Sequence, residues 1–261
     1  MSGKISFDDG AAYERGMGGW SRVCGGMFLD WLKPAAGLAW VDVGCGNGAF
    51  TELLVQRCAP TEVQGVDPSD GQISYAATRP GAAGAVFQVG DAQALPFAAA
   101  RFDAATMALV IFFVPDPVRG VAEMVRVVKP GGLVAAYVWD ILEGGFPFEP
   151  LLAELRAHGY TPALPPSAEA SRMPALRALW EGGGLREVES RVFEVRRDYA
   201  DFEAYWESGT NSGSVKAALA KFPAEKLAGF RAGVRARLAA LPGGGLAWTA
   251  RANAIRGVVA G

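Results

Sequence analysis

The stretch Val41-Asp42-Val43-Gly44-Cys45-Gly46-Asn47-Gly48-Ala49-Phe50 decides the fold of this chain. An apolar run enters a loop that has glycine at every second position, and a helical pattern follows. Because glycine has no Cβ, the backbone of such a loop can turn sharply and approach a ligand closely. The start of the following helix offers free N–H groups and the positive end of the helix dipole. The stretch predicts a strand, a loop that can bind a ligand, and a helix.

Two aspartates follow at spacings that suggest the ligand. Asp67 lies 23 residues after Gly44, at the end of a second apolar run, where a carboxylate can accept hydrogen bonds from ribose hydroxyls. Asp91 ends a third run beside Ala92, where a carboxylate could accept the exocyclic amine of adenine. Each aspartate could instead cap a helix or a turn, and the glycine loop could merely connect two elements. Their joint placement at three successive strand ends favours an adenosine-type ligand.

The rest of the chain continues the same alternation of strands and helices. We predict five strands of a parallel sheet at 39–43, 62–66, 85–89, 102–109 and 133–139, with helices near 48–59, 70–79 and 117–128 between them. Asp116 and Pro117 are typical of the start of the last helix, and Lys129-Pro130-Gly131-Gly132 of its end. Further helices are predicted near 150–158 and 173–182, and two more strands, at 187–196 and 246–256, could pair antiparallel.

Composition limits the class of protein. The 261 residues carry a formal net charge of −2, and 51% are hydrophobic, which is typical of a globular protein with a sizeable core. Nucleic acid is not expected as a partner, because the chain has no basic stripe beyond a solvated helical face near its C-terminus. The three cysteines have no paired spacing and His158 is the only histidine, so neither a disulfide framework nor a metal site is expected.

Location is predicted from apolar segments. The first residues lack the apolar stretch of a signal peptide. The longest apolar run, 104–115, is too short to span the ~30 Å hydrocarbon layer as a helix, so no integral membrane segment is expected. A cytoplasmic protein is the resulting expectation.

A series of motifs then identifies a family. In order, the chain contains Val41-Asp42-Val43-Gly44-Cys45-Gly46-Asn47-Gly48, Gly65-Val66-Asp67-Pro68-Ser69, Gly90-Asp91-Ala92-Gln93-Ala94-Leu95-Pro96-Phe97, Phe102-Asp103, Val114-Pro115-Asp116-Pro117 and Val127-Val128-Lys129-Pro130-Gly131-Gly132. Over residues 38–139 the chain resembles the class I S-adenosylmethionine-dependent methyltransferases, and among them the small-molecule enzymes of ubiquinone and menaquinone biosynthesis.

The resemblance implies a fold and a division of the chain. The fold is α/β, a Rossmann-like, mostly parallel sheet of seven strands with helices on both faces and a helical lid. Residues 1–37 would form an N-terminal helical cap and 38–139 the S-adenosylmethionine-binding core. Residues 140–172 would be a lid insertion, and 173–261 would complete the sheet with a helical insertion at about 198–240.

The resemblance also implies the residues that bind S-adenosyl-L-methionine. The glycine loop would contact its methionine part, Asp42 its amino group, Asp67 its ribose hydroxyls and Asp91 with Ala92 its adenine. The predicted cofactor-binding residues are Tyr13, Trp20, Ser21, Asp42, Gly44, Cys45, Gly46, Asn47, Asp67, Pro68, Gln72, Asp91, Ala92, Gln93, Ala108 and Leu109.

The acceptor side is less defined by the sequence. Asp140, at the end of the fifth predicted strand, is the candidate catalytic base, although a capping role is as compatible with its position. His158 ends a short predicted helix, where the helix dipole favours a capping role over a catalytic one. Aromatic residues in the variable segments, among them Trp20 and Trp139, could wall a hydrophobic acceptor pocket, although core packing accounts for many of them. A homodimer is also an option.

Two other functions remain open at this point. A nicotinamide-dependent oxidoreductase shares the strand, loop and helix, but its fingerprint is Gly-x-Gly-x-x-Gly, whereas this loop is Gly-x-Gly-x-Gly. Because Ala49 stands at the final position, the loop alone does not decide, and the Asp91-Ala92 and Lys129-Gly132 motifs favour the methyltransferase. A protein that binds S-adenosylmethionine without transferring its methyl group is the non-enzymatic alternative.

Overall fold

The computed structural model describes residues 14–211, 213–242 and 244–261. The first half of its sheet consists of five strands that pair in parallel: β1 Ala39–Val43, β2 Glu62–Asp67, β3 Ala85–Val89, β4 Phe102–Ala108 and β5 Val128–Trp139. A π-helical turn, Glu14–Gly18, leads into α1 Gly19–Leu32, and the strands are connected through α2 Ala49–Cys58, α3 Asp70–Ala76 and α4 Pro117–Val127. The predicted alternation of strands and helices is therefore present.

The order of the strands positions the site. It runs β3-β2-β1-β4-β5, so the chain moves outward from β1 in one direction through β2 and β3 and then returns to its other side at β4. In open parallel sheets, a crevice forms at the carboxyl ends of the strands where the order reverses in this way. Residues that follow β1, β2 and β4 border that crevice.

The second half of the sheet is antiparallel. Strand β8 Leu246–Val258 lies between β5 and β6 Arg186–Tyr199 and pairs antiparallel with both, which confirms the predicted pairing of the last two strands. The ladder between β6 and β8 continues to the pair Tyr199 and Leu246, whereas β5 ends at Trp139, opposite Ala252. Strands β6 and β8 therefore project beyond the end of β5.

Helices cover both faces of the sheet. On one face, the rings of Phe28 from α1 and Phe50 from α2 lie 4.7 and 5.7 Å from the ring of Tyr137 in β5. On the other face, Trp180 of α6 Met173–Gly182 donates from Nε1 to the carbonyl oxygen of Val134, 3.0 Å away. Because successive side chains of a strand point to opposite faces, β5 contributes alternate residues to two apolar layers.

A helical insertion with its own aromatic core packs beside the C-terminal half of the sheet. It contains α5 Glu149–Ala157, α7 Phe202–Thr210, α8 Gly213–Leu219 and α9 Leu227–Ala236. The ring of Phe148 lies 6.1 Å from that of Tyr205, and the ring of Trp206 lies 5.9 Å from that of Phe230. His158 is the C-cap residue of α5, and its ring packs against Phe230. That residues 140–172 and the helical segment at about 198–240 act as a lid stays a prediction.

Two details differ from the sequence prediction. Strand β5 begins at Val128 rather than at 133, because Val128 pairs with Phe102 before the ladder shifts register. The helix α4 nevertheless ends at Val127, directly before the Lys129-Gly132 motif, and Asp116 caps its start by accepting from the N–H of Arg119. A two-residue strand, β7 Ala239–Ala240, adds an eighth strand to the predicted seven. The Rossmann-like fold with helices on both faces is confirmed.

Within the described ranges, no helix combines the length and the apolar character needed to cross a bilayer.

Candidate cofactor site

The glycine loop that follows β1 has three left-handed residues with different surroundings. Gly44, Gly46 and Gly48 have φ angles of 75°, 51° and 78°. A Cβ at Gly44 would lie 2.4 Å from Cγ1 of Val110, so this glycine allows the tip of β4 to pack on the loop. A Cβ at Gly46 would meet no described protein atom within 4 Å. The backbone of Gly46 therefore borders open space at the crevice.

Hydrogen bonds join the loop to the end of β2. The N–H groups of Gly44 and Cys45 donate to the carbonyl oxygen of Val66 at 2.7 and 3.0 Å. The N–H of Gly46 donates to Oδ2 of Asp67 at 3.0 Å, and the N–H of Ser69 donates to Oδ1 at 2.9 Å. These bonds fix the direction of the Asp67 carboxylate. Burial raises the pKa of this carboxyl group. Each of its oxygens retains a lone pair that can accept from a ligand.

Asp42 lies beneath the loop and is fully buried. Its Oδ2 accepts a hydrogen bond from the Thr51 hydroxyl of α2 at 2.6 Å, while Oδ1 has no partner among the described residues. Burial raises the pKa of Asp42 to about 7, and the bond from Thr51 opposes this increase. A buried carboxylate oxygen without a donor is unusual, and a cationic or donor group of a ligand would satisfy it.

The raised pKa of Asp42 predicts a pH dependence of stability. The unfolded side chain has a pKa of about 3.9, so the folded state keeps a proton that the unfolded state has lost. Stability from this difference is present below about pH 4 and is lost as the pH rises through about 7. We expect the melting temperature of the wild type, relative to that of Asp42→Asn, to fall between pH 5 and pH 8.

The exposed Asp30, whose carboxylate pairs with Arg57 on the surface, provides the control. Its Asp30→Asn variant is expected to follow the wild type across the same pH range. Parallel melting curves for the wild type and Asp42→Asn at every pH would contradict the prediction.

The ends of β3 and β4 complete the border of the crevice. Gly90 donates from its N–H to the carbonyl oxygen of Asp67 at 3.1 Å, which brings the segment 90–93 beside β2. The carboxylate of Asp91 is exposed and accepts from the N–H of Gln93 at 2.8 Å. At the end of β4, Leu109 has a φ of 64°. Such a conformation is strained for a leucine and is typical of functional sites.

An arginine that the sequence did not single out connects the N-terminal segment to the loop. Arg79 donates from Nε to the carbonyl oxygen of Asn47 at 2.6 Å and from a second nitrogen to Glu52 at 2.8 Å, and it forms an ion pair with Glu14. Asn47 also donates to Glu14, at 3.2 Å. The segment before α1 is thus held against the glycine loop. No sequence motif marks Arg79, because its partners come from three separate segments.

Loss of Arg79 is expected to destabilise the protein. The side chains of Arg79 and Glu52 are 10% and 12% exposed, so a variant Arg79→Gln leaves a poorly solvated carboxylate whose one remaining cationic partner among the described residues is Arg22. We expect the free energy of unfolding to fall by about 3 kcal/mol, measured by urea denaturation. The exposed Arg57 is the control, and Arg57→Gln should cost about 1 kcal/mol or less. Equal losses for the two variants would contradict this expectation.

The part of the chain that borders the crevice resembles known proteins. Residues 41–136 match a family model described as "Methyltransferase domain", which spans β1 to β5 and the whole border of the crevice. Residues 41–136 therefore carry a methyltransferase domain. The resemblance drawn from the motifs is thereby confirmed, and the cofactor of such a domain is S-adenosyl-L-methionine.

Two of the curated proteins that resemble this chain are methyltransferases by name. The chain is 38% identical over 108 residues to 2-methyl-6-phytyl-1,4-hydroquinone methyltransferase 2 of rice, a match that covers 40% of this chain and 31% of the relative. It is 34% identical over 123 residues to a demethylmenaquinone methyltransferase of Desulfitobacterium hafniense, which covers 42% of this chain and 49% of the relative. The chain therefore aligns with less than half the length of either relative.

A solved structure shows that the likeness in fold extends further than the likeness in sequence. The YcgJ protein of Bacillus subtilis superposes with a TM-score of 0.60 at 18% identity, and the match covers 93% of this chain and 99% of that one. At this level of identity, the comparison supports the fold of the methyltransferase domain and its C-terminal additions.

The residues at the crevice fit the cofactor. Gly46 leaves open space in front of its backbone, Asp67 presents fixed acceptor oxygens beside it, and the unpartnered Oδ1 of Asp42 lies beneath. An adenosine with an attached ammonium group offers hydroxyl and N–H donors to both carboxylates. The assignment of individual contacts stays a prediction for every predicted residue.

Five further predicted residues lie at the start of α3, within α1, or outside the described part of the chain. Pro68 and Gln72 lie at the start of α3, where the Ser69 side chain caps the helix, and Gln72 is buried. Trp20 is buried in α1, where its ring packs edge-on against that of Trp139 with the ring centres 6.4 Å apart. Ser21 follows it in α1 and is also buried. Tyr13 lies outside the described residues.

Asp140 has a structural partner. Its Oδ2 accepts from Arg251 of β8 at 3.0 Å, and Arg251 also donates to the carbonyl oxygen of Glu143. Oδ1 of Asp140 has no partner among the described residues, and burial raises the pKa of this carboxyl although Arg251 opposes the shift. The ion pair accounts for the position of Asp140 without catalysis, and its role as a base stays a prediction.

Proposed function

We propose that this protein transfers a methyl group from S-adenosyl-L-methionine to a small-molecule acceptor. One observation supports the proposal: the open backbone of Gly46 lies beside the fixed carboxylate of Asp67 at the ends of β1 and β2, with the buried Asp42 beneath the loop and Asp91 following β3. The names of the curated relatives, which are quinone methyltransferases, support the same class of reaction.

The acceptor is proposed to have an apolar body. Four large aromatic side chains contact one another in succession near the carboxyl ends of β5 and β6, namely Trp139, Trp20, Tyr199 and Tyr205. Nε1 of Trp139 and the hydroxyl of Tyr205 have no hydrogen-bond partner among the described residues. A pocket with apolar walls and a few polar groups is typical of sites for small organic molecules. Core packing explains part of this cluster, since all four side chains are buried.

The contribution of the chain to catalysis is mainly positional. The cofactor supplies a methyl group on a positively charged sulfur, so the leaving group is neutral. Asp67 and the glycine loop orient the cofactor, while α1 and the aromatic cluster exclude water from the transfer path. Alignment of two reactants can contribute about 7–11 kcal/mol to lowering the barrier, so a dedicated base is not required.

Two experiments test the proposal. Calorimetric titration should show that the protein binds S-adenosyl-L-methionine and not NAD, and tight binding of NAD alone would replace the methyltransferase with an oxidoreductase. The second experiment supplies a cell extract and S-adenosyl-L-methionine and measures S-adenosyl-L-homocysteine. An enzyme forms this product, whereas a protein that only binds the cofactor does not.

The expected homodimer and the absence of a nucleic-acid partner are further proposals. Sedimentation velocity tests the first, and a DNA-binding titration tests the second.

A further inference from the structure

Arg197 is a half-buried cation that has no carboxylate within 4 Å in the part of the chain that the structure describes. Among the described residues, every other half-buried arginine side chain lies within 4 Å of a carboxylate; these are Arg79, Arg126, Arg172, Arg177, Arg231, Arg251 and Arg256. Half-buried charges are usually paired, because partial loss of water disfavours the charged form. The exception at Arg197 therefore suggests that an anion outside the chain completes the site.

Three neighbours hold the guanidinium in place. Its central carbon lies 5.6 Å from the ring centre of Trp20 and 5.2 Å from that of Tyr199. A Cβ at Gly19 would lie only 2.7 Å from the same carbon, so α1 has no side chain where the guanidinium sits. Aromatic rings attract a guanidinium but do not neutralise its charge. The two rings and α1 therefore restrict the position of the guanidinium before any ligand binds.

Arg197 lies near the carboxyl end of β6, away from the strands that border the predicted cofactor site. It lies in the part of β6 that projects past the end of β5. Phe193 of β6 is level with Trp139, the last residue of β5, and Arg197 lies four residues farther along β6. In the strand order, β6 is four places from β1, or about 19 Å at the usual spacing of strands. The groups proposed to hold the cofactor follow β1, β2 and β3. This separation of the strands favours a second molecule, beside the cofactor, as the ligand of Arg197.

A cavity of about 470 Å³ opens at this arginine, between the end of β6 and α7. Its lining includes Arg197, Tyr199, Ser208 and Asn211. The volume lies within the range of about 300–1,000 Å³ that is common for small-molecule sites. Two carboxylates also line it, but that of Asp198 is paired with Arg196 at 2.9 Å, and Glu207 is exposed. Among the described residues of that lining, Arg197 is the only cation.

We propose that Arg197 binds a carboxylate group of the methyl acceptor. This inference rests on the proposed function and adds a chemical class to the acceptor: a molecule with an acid group that Arg197 binds in the cavity at the end of β6. A planar carboxylate matches the guanidinium fork, which can donate two parallel N–H hydrogen bonds to it.

The test compares acids with amides of the same shape. Matched pairs, benzoate and benzamide, 4-hydroxybenzoate and 4-hydroxybenzamide, cinnamate and cinnamamide, and indole-3-acetate and indole-3-acetamide, are titrated calorimetrically with saturating S-adenosyl-L-homocysteine present. We expect at least one acid to bind the wild type about 10- to 100-fold more tightly than its amide, as expected for hydrogen bonds to a charged group. The ratio should fall to about one in Arg197→Gln and keep part of its value in Arg197→Lys, which retains only the charge.

Arg191 provides the matched control, since it is an exposed arginine of the same strand and carries the same charge. The acid preference should survive in Arg191→Gln. Equal affinity for every acid and amide in the wild type, survival of the preference in Arg197→Gln, or its loss in Arg191→Gln would each overturn the inference. Binding of S-adenosyl-L-homocysteine is measured separately in each variant. Unchanged cofactor binding with no acid preference would refute the role of Arg197 alone, whereas no cofactor binding by the wild type would refute the proposed function.

Discussion

Replacement of Asp67 with alanine is expected to weaken binding of S-adenosyl-L-methionine about 100-fold or more. The carboxylate is fixed by the N–H groups of Gly46 and Ser69, so its remaining lone pairs face the crevice in a set direction. Each hydrogen bond to a charged acceptor contributes about 1.5–3 kcal/mol, and two such bonds account for the predicted loss. Calorimetric titration of the cofactor measures the effect.

Two further variants separate this effect from damage to the loop. Asp67→Asn keeps the size of the side chain and can still accept from Gly46, and it should bind the cofactor about tenfold less tightly than the wild type, as expected for loss of one charge-assisted bond. Asp70 is an exposed aspartate three residues later, and Asp70→Ala should leave the affinity unchanged. The prediction fails if Asp67→Ala binds the cofactor as tightly as Asp70→Ala does.

A leucine at position 46 should abolish cofactor binding and leave the protein folded. The φ of Gly46 is 51°, a conformation that costs other residues about 1–2 kcal/mol, and a Cβ there meets no described protein atom within 4 Å. The added side chain would therefore occupy the space in front of the loop instead of disrupting the core. We expect a small decrease in melting temperature and at least about a 100-fold loss of affinity for the cofactor, equivalent to about 2.7 kcal/mol.

Gly37 offers a close control for this substitution. It also has a positive φ, 82°, and open space around its Cβ position, but it lies before β1, at the opposite edge of the sheet. Gly37→Leu should therefore cause a similar decrease in melting temperature without changing cofactor affinity. Similar affinities for Gly37→Leu and Gly46→Leu would show that the space at Gly46 is not part of the cofactor site.

The fold was largely predictable because its elements are defined by local patterns. Strand β1 has the predicted bounds, 39–43, since an apolar run ends there at a glycine that only a loop accommodates. Asp116 and Pro117 begin α4 as predicted, because a cap depends on residues within one turn of each other. The start of β5 was missed by five residues, since pairing of Val128 with Phe102 depends on a distant strand.

The candidate site was predictable to a similar extent and for a related reason. Parallel strands end at the same edge of a sheet, so Gly46 and Asp67 meet there once β1 and β2 pair, and a hydrogen bond of 3.0 Å joins them. The sequence did not reveal that Gly44 makes room for Val110 while Gly46 borders open space. Both glycines look alike along the chain, and only the packing of β4 on the loop distinguishes them.

The sequence by itself determined which segments become strands, where the glycine loop lies and which aspartates follow the strands. These features depend on side-chain periodicity and backbone freedom within a few residues. Only the tertiary structure decided that Arg79 holds the N-terminal segment on the loop, that Arg251 pairs with Asp140, and that no described carboxylate pairs with Arg197. An arginine's charge is evident from its identity, but its partner depends on which distant residues the fold brings within about 4 Å, and the local sequence does not encode that distance.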